Sequence, residues 1–328
     1  MSPLTIYCVY RFTLQVKERS KNVTNDFLLQ DRLQKIRQII GKYGEENFYL
    51  SFSGGKDSTV LSHLLDKAIP NNKIPRVYAN TGIELNMIRD FVFEMAEHDE
   101  RVKIIKPSMP IKPMLEKEGY PFKSKGHSKW HERYTRLGRS EGVSQYLGER
   151  TDKKPWSSQT SCPKALKYQF SPDFKLKISD QCCVKLKEEP LTRWSEENNR
   201  PYTIIGIMRE EGGRRNNAQC LSMRGNKLKA FQPLAPMSKE WEEWYIETFN
   251  VKICDIYKPP YNFIRTGCKG CPFARNLQNE LDTLEKFFPE ERKQCEIIWK
   301  PVYDEYRRIG YRLKPNKQMT VEDYMKGD

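Results

Sequence analysis

Two sets of residues in this sequence have the types and spacing for chemistry. The first is Ser53-Gly54-Gly55-Lys56-Asp57-Ser58, between an apolar run and an amphipathic one. A glycine-rich turn from strand to helix exposes backbone N–H groups, and the helix N-terminus adds partial positive charge, so the turn suits a phosphate. Ser53 and Ser58 can donate hydroxyl hydrogen bonds. Lys56 can contact the phosphate or stand in solvent. Asp57, odd beside an anion, fits as a magnesium-associated ligand or as a group that holds the loop in shape. The spacing is not the G-x-x-x-x-G-K-[ST] of Walker-type loops, so an ordinary strand–helix turn is the competing reading.

The second set is cysteine: the adjacent pair Cys182-Cys183, and Cys268 with Cys271 in a Cys-x-x-Cys turn. Four thiolates suit zinc or an iron–sulfur cluster. Adjacent cysteines diverge, which disfavours joint ligation of one tetrahedral zinc and suits a cluster with several irons. A zinc knuckle and two reduced pairs stay open as alternatives, and Cys295 is a substitute for Cys182 as fourth ligand. Of the nine cysteines, Cys8, Cys162, Cys220, Cys254 and Cys295 are left over. Cys162, in the polar stretch SSQTSCPK, reads as the most exposed of them. An odd count in a chain of 328 residues with no secretory signal favours metal or thiol chemistry over a disulfide framework.

Alternating elements must position these residues. Residues 26–43 carry Leu28, Leu29, Leu33, Ile36, Ile39 and Ile40 at helical spacing. The segment 47–53 reads as a buried strand and 58–69 as a helix. A strand at 74–82, a helix at 83–99 and a strand at 101–107 follow. This alternation predicts an α/β fold: a Rossmann-like, doubly wound, mostly parallel sheet, with an N-terminal helical arm and a helical C-terminal region. In such sheets ligands bind at the carboxyl ends of strands. Three regions are expected: an arm at 1–45, the α/β domain at 46–235 with a basic insertion at 108–160, and a cysteine-containing helical region at 236–328. Residues 201–208 read as a further strand. Residues 238–250 read as a helix capped by Ser238, and 279–313 as helix interrupted near Pro289 and Pro301.

The formal net charge is +14, and residues 101–154 hold 14 Lys/Arg against 6 Asp/Glu. That segment could bind a polyanion, line a site for one phosphorylated substrate, or be a solvated face. No stretch approaches the ~20 apolar residues that cross a bilayer, and no signal peptide is read at the N-terminus. The expected location is the cytoplasm, with no membrane partner.

The stretch SFSGGKDST resembles the PP-loop of the adenine-nucleotide α-hydrolase superfamily, whose motif Ser53 to Ser58 match in full. Within it, ANTGIEL is similar to the second-strand motif of the phosphoadenosine phosphosulfate (PAPS) reductase family: Thr81 and Gly82 match, while Asn80 stands where an acid is usual. GIMREEGGRR resembles that family's Gly-x-Arg-Arg-x-Glu-Ser-x-x-Arg, with Gly206, Arg209, Glu211 and Arg215 matching and Met208 and Gly212 departing. The resemblance implies a nucleotide site at Ser53, Gly54, Gly55, Lys56, Asp57, Ser58, Thr81, Gly82, Gly206, Arg209, Glu211, Arg214 and Arg215. Lys56, Asp57, Arg209 and Arg215 are its expected catalytic residues, and ATP or an adenylyl nucleotide with Mg2+ is its expected ligand.

CCVKLKEEPL with the later Cys-x-x-Cys resembles the iron–sulfur members, the adenylyl-sulfate reductases. Cys182, Cys183, Lys185, Lys187, Pro190 and Leu191 are kept, which implies a [4Fe–4S] cluster on Cys182, Cys183, Cys268 and Cys271. Family reductases attack with a thiolate in a C-terminal Glu-Cys-Gly-x-His segment, and here no cysteine follows Cys295. The resemblance therefore implies first an adenylating sulfur-transfer enzyme, like the DNA phosphorothioation and tRNA thiolation enzymes that share the loop. Its expected partners are nucleic acid (DNA or tRNA) through residues 101–154 and a sulfur-donor or reductant protein. A sulfonucleotide reductase releasing sulfite and a non-catalytic nucleotide-binding subunit are the alternatives.

Overall fold

The computed structural model describes residues 24–149, 161–212 and 215–315. These fall into two compact units. The first takes the described residues of Met1–Ala79, Asn86–Ile105 and Leu191–Arg265; the second takes those of Asn80–Leu85, Lys106–Pro190 and Thr266–Asp328.

The first unit holds one six-stranded sheet. Its strands are β1 (Phe48–Ser51), β2 (Arg76–Ala79), β3 (Val102–Ile105), β4 (Tyr202–Ile204), β5 (Leu221–Arg224) and β6 (Lys227–Phe231), in the order β3-β2-β1-β4-β6-β5. All neighbours are parallel except β5 and β6. Leu50 of β1 pairs in register with Arg76 of β2 on one side and Ile204 of β4 on the other. Sequential strands run outward from β1 through β2 to β3, and the chain then returns to β4 on the opposite side of β1. The order therefore reverses between β1 and β4, which is where doubly wound sheets form their ligand crevice.

Helices cover the sheet. Residues 24–43 are helical and bury Leu29, Leu33, Ile36, Ile39 and Ile40 of the expected stripe, with Leu28 half-buried at its edge. Lys56–Ala68 leaves β1 and has Val60, Leu61, Leu64 and Leu65 fully buried. Asn86–His98 joins β2 to β3. Lys239–Thr248 starts at Ser238, whose Oγ accepts from the Trp241 N–H at 3.2 Å, the cap the sequence predicts.

The strand expected over 201–208 ends at Ile204. After one more ladder bond, from the Ile205 N–H to the Phe231 carbonyl (2.9 Å), the backbone turns toward the start of the 56–68 helix. The β5–β6 hairpin was not anticipated, although Gly225-Asn226 between two short runs is a two-residue hairpin signal and Gly225 sits at φ 58°.

The second unit is helical. The expected basic insertion supplies helices Ile111–Glu118, Lys125–Leu137 and Glu141–Leu147. These pack on an aromatic core of Phe122, Tyr146, Phe170 and Tyr306. Helix Leu277–Phe287 stops before Pro289, as expected, and Pro289 starts the next helix. The expected interruption at Pro301 does not occur. Pro289–Arg308 runs unbroken, because Trp299, Val302, Tyr303 and Tyr306 bury one long face and offset the ~3 kcal/mol cost of an internal proline. Among the described residues no helix is long and apolar enough to cross a membrane.

Candidate functional site

The glycine turn between β1 and the 56–68 helix has the form that an anion cradle requires. Gly54 adopts φ 70°, and a Cβ there would lie 2.5 Å from Val92 Cγ2, so only glycine fits. Gly55 is the N-cap residue. The loop is tied internally. Ser53 Oγ is 3.0 Å from Ser58 Oγ, the Ser53 N–H donates to Ser58 Oγ (3.2 Å), the Gly55 N–H donates to Ser53 Oγ (3.2 Å), and Ser58 Oγ donates to the Gly55 carbonyl (2.9 Å). The first N–H groups of the helix, from Lys56 onward, have no intrahelical acceptor and point out of its N-terminus.

The segment after β4 closes on this turn. A Cβ on Gly206 would sit 3.1 Å from the Asp57 carbonyl carbon and oxygen, so glycine permits the approach. Glu211, on the same segment, is buried at its side chain and accepts ion pairs from Arg215 and from Arg265 (2.9 Å). Arg209 points elsewhere: it is exposed, and its Nε donates to the Ala218 carbonyl at 2.6 Å. Arg214 lies outside the described residues.

Beside the turn is a cavity of about 410 Å³, lined by Lys56, Asp57, Glu211, Glu242, Tyr257 and Arg265 among others. Lys56 lines this cavity, half-buried, and its ammonium stands 3.3 Å from Glu242 Oε2. Glu242 is 1% exposed, and neither carboxyl oxygen has a hydrogen-bond partner. Burial first, then the charge of Asp57, pushes its carboxyl up to about 8, against the pull of Lys56. Asp57 is pushed up as well, by burial and then by Glu211. Sequence reasoning missed Glu242 and Arg265. Glu242 had a signal, a carboxylate on the buried side of a helix whose neighbours there are Trp241 and Tyr245.

Thr81 and Gly82 belong to the second unit, with the cysteines. The Thr81 hydroxyl donates to Glu84 Oε1 (2.7 Å) and its N–H to Oε2 (3.2 Å). Glu84 forms a bridge with Cys268, and the Lys269 N–H donates to the Ile83 carbonyl at 2.8 Å. Lys187, one turn beyond the cysteine pair, is 3.7 Å from Glu84 Oε1.

Cys182 and Cys183 sit in the helical turn Gln181–Cys183, which passes into a π-helical stretch, Val184–Glu188. Such a bulge is frequent at functional sites. The turn holding Cys268 and Cys271 closes through the Cys271 N–H to the Cys268 carbonyl (3.2 Å). Helix Pro289–Arg308 buttresses it with three aromatic donors: Trp299 to the Lys269 carbonyl (3.0 Å), Tyr303 to the Gly270 carbonyl and Tyr306 to the Pro272 carbonyl (2.9 Å). Gly270, at φ 59°, leaves no room for a Cβ against Tyr303 and Cys295.

The four cysteines act on one another. Hydrogen bonding with Cys183 raises the Cys182 thiol first, then burial, then the charges of Cys183, Cys271 and Cys268. Cys183 is brought down to about 6 by its bond with Cys182 and by Lys125 and Lys187. Burial raises Cys268, opposed by Lys187, and burial also raises Cys271. Among the described residues no three His, Cys, Asp or Glu side chains are arranged to close on a single metal ion.

Cys295 is fully buried behind Gly270. Cys162, expected to be exposed, is buried instead: its N–H donates to the carbonyl of the buried Tyr146 at 2.8 Å, and the 3-10 turn 164–170 that follows puts Leu166 and Phe170 in the core. Its thiol is pushed up to about 11.

Sheet, switch point and turn together define an α/β protein of the PP-loop class. The chain belongs to the phosphoadenosine phosphosulfate reductase domain family, whose sequence model matches residues 47–158 and 157–274. It is 25% identical over 298 residues to an uncharacterized protein of Methanocaldococcus jannaschii, an alignment covering 86% of this chain and 55% of that protein, so the chain spans about half the length of this relative. Among solved structures it is similar to the phosphate complex of phosphoadenylyl-sulfate reductase from Candida auris (TM-score 0.41, 14% identity, 71% of this chain and 88% of that one). It is also similar to the U34-tRNA thiolase of Methanococcus maripaludis with its [4Fe-4S] cluster (TM-score 0.36, 17% identity, 85% and 79%).

Proposed function

We propose that this protein is an adenylating sulfur-transfer enzyme that binds ATP or an adenylyl nucleotide at residues 53–58 and carries a [4Fe–4S] cluster on Cys182, Cys183, Cys268 and Cys271. The observation that carries the reading is that Lys187, one turn beyond Cys182-Cys183, stands 3.7 Å from Glu84, which itself bridges to Cys268 of the Cys-x-x-Cys turn, and the thiols' mutual electrostatic influence agrees with this. A four-iron cluster takes one thiolate per iron and spans more space than one ion. When bound, the cluster supplies a site for sulfur or for electrons.

The turn's N–H groups are suited to grip the nucleotide phosphates, while the hydroxyls of Ser53 and Ser58 hold the turn in shape through their bonds to each other and to Gly55. Asp57 and Glu242 would hold the accompanying Mg2+, since Glu242 presents two buried oxygens without hydrogen-bond partners and magnesium is commonly held by one or two carboxylates plus phosphate. An acceptor oxygen then attacks the α-phosphate, pyrophosphate leaves, and sulfur displaces AMP. The location that fits this chemistry is the cytoplasm.

Sulfonucleotide reduction is the second reading, favoured by the family match itself. It needs an accessible attacking thiolate. Cys162, Cys254 and Cys295 are all buried with their thiols pushed up, Cys220 is half-buried, and Cys8 lies outside the described residues. The deciding experiment incubates anaerobically purified protein with ATP and, separately, with sulfonucleotides. ATP-dependent pyrophosphate release supports adenylation, and thioredoxin-dependent sulfite release supports reduction. Tight nucleotide binding with neither product supports a nucleotide-binding subunit.

A further inference from the structure

Helix Lys125–Leu137 in the second unit carries a feature that the sulfur chemistry does not explain. Its buried side is fixed by two histidines. His127 is bonded through Nδ1 to Tyr146 Oη (2.9 Å) and through Nε2 to Gln169 Oε1 (2.8 Å), and His131 Nε2 is 3.0 Å from the Gln169 carbonyl. These bonds set the rotation of the helix and turn Lys129, Arg133 and Arg136 outward on one face, at i, i+4 and i+7. Lys125 continues the row one turn earlier, beside Cys183. Among the described residues none of Lys129, Arg133 and Arg136 has a carboxylate ion-pair partner, whereas Lys125 at the head of the row pairs with Glu188 (3.8 Å).

This row borders a groove of about 350 Å³. One wall is Lys129, Trp130, Glu132, Arg133 and Arg136; the other is Asp180, Gln181 and Val184, the residues flanking the cysteine pair. Trp130 is a rigid wall element. It stacks on Tyr146 (5.8 Å, 16°), the Arg133 guanidinium lies 5.4 Å from its ring, and a Cβ on Gly142 would press to 2.9 Å from it. A row of unpaired cations, a fixed indole and two carboxylates within one groove match three parts of a nucleotide chain. Phosphates meet the cations, a base face meets the indole or guanidinium, and base amino groups donate to Glu132 or Asp180. A lone inorganic anion would be repelled by those carboxylates, and an acidic peptide would leave the indole unused.

The geometry points to this groove as the binding track for a single-stranded segment of nucleic acid, its backbone laid along Lys129, Arg133 and Arg136 and leading to the Cys182-Cys183 turn. The inference deepens the proposed function by naming the class of sulfur acceptor, and rests on that reading only for what happens at the cysteines.

The test uses the full chain, purified anaerobically, with fluorescein-labelled single-stranded RNA and DNA of about 12 nucleotides, followed by anisotropy across a sodium chloride series. Replacing Lys129, Arg133 and Arg136 by Gln together is expected to weaken binding at least tenfold. It should also flatten the slope of log K against log salt by about 2, at ~0.7 per phosphate contact. Trp130→Ala is expected to weaken binding about fivefold or more with the slope unchanged. Both variants should keep the parent's circular dichroism spectrum and its affinity for ATP, and the stronger binder of the two strands identifies the natural one.

Parent and triple variant binding alike, or no binding by the parent at low salt, overturns the inference. So does polyglutamate competing as well as the oligonucleotides, which identifies an acidic protein as the partner. Loss of pyrophosphate release with these binding results intact would instead count against the sulfur-transfer reading alone.

Discussion

Glu242→Gln probes the acid group beside the PP-loop with little change of shape. Glu242 is 1% exposed, and its carboxyl is pushed up to about 8, by burial first and the Asp57 charge second. In the unfolded chain the same group titrates near ~4.3. Between those values the folded protein keeps a proton that the unfolded protein has released, so stability falls as pH rises across that window. At ~1.4 kcal/mol per decade the whole interval corresponds to as much as ~5 kcal/mol, and sharing the charge with Asp57 and Lys56 reduces it to about 2–3 kcal/mol. Glutamine cannot ionise, so the variant loses this part of the slope. Thermal unfolding of metal-free, nucleotide-free protein from pH 5 to pH 9 measures it. The variant should match its parent near pH 5 and melt several degrees higher near pH 9, at roughly 2–4 °C per kcal/mol. It should also lose the Mg2+-dependence of ATP affinity. Parent and variant curves that run parallel across the whole range would refute the reasoning.

Gly54→Ala puts a methyl at φ 70° and 2.5 Å from Val92 Cγ2. It should cost about 1–3 kcal/mol in a denaturant titration and abolish nucleotide binding, with stability partly restored by Val92→Ala. Tyr303→Phe leaves the buried Gly270 carbonyl without its donor. A loss of about 1–3 kcal/mol and a lower iron content are expected, and unchanged iron would remove helix Pro289–Arg308 from the support of the cysteine turn. Lys56→Met removes the only ion-pair partner of Glu242 among the described residues. Weaker ATP binding and a Glu242 titration moved still higher should follow, read by calorimetry in buffers of different ionisation enthalpy. Cys162→Ser should leave every activity of the protein within a factor of about two, because that thiol is buried and pushed up to about 11.

The parallel core of the sheet was legible because its signals are local. Phe48–Ser51, Arg76–Ala79 and Val102–Ile105 are apolar runs bounded by turn residues, each followed or preceded by a helical stripe. The glycine turn was legible for the same reason, since Gly54 answers to a backbone angle and one close contact. The β5–β6 hairpin was missed because β5 is half exposed and carries polar residues, so its pattern is weak although Gly225-Asn226 marks the turn. Glu242 lies 185 residues from Asp57 and gains its character only from packing against it, which no local pattern encodes. Cys162 misled for the converse reason: a polar neighbourhood in sequence says little about a cysteine that is held against the distant, buried Tyr146. Pro301 reads as a helix breaker until the four buried side chains around it are known to hold the helix together.

The central claim is tested most directly by iron and acid-labile sulfide analysis of protein purified without oxygen, together with its absorbance near ~400 nm. About four iron and four sulfide per chain, lost together in Cys271→Ser, is the predicted result. A colourless protein holding one zinc per chain, or a brown one whose iron survives Cys271→Ser, would contradict it.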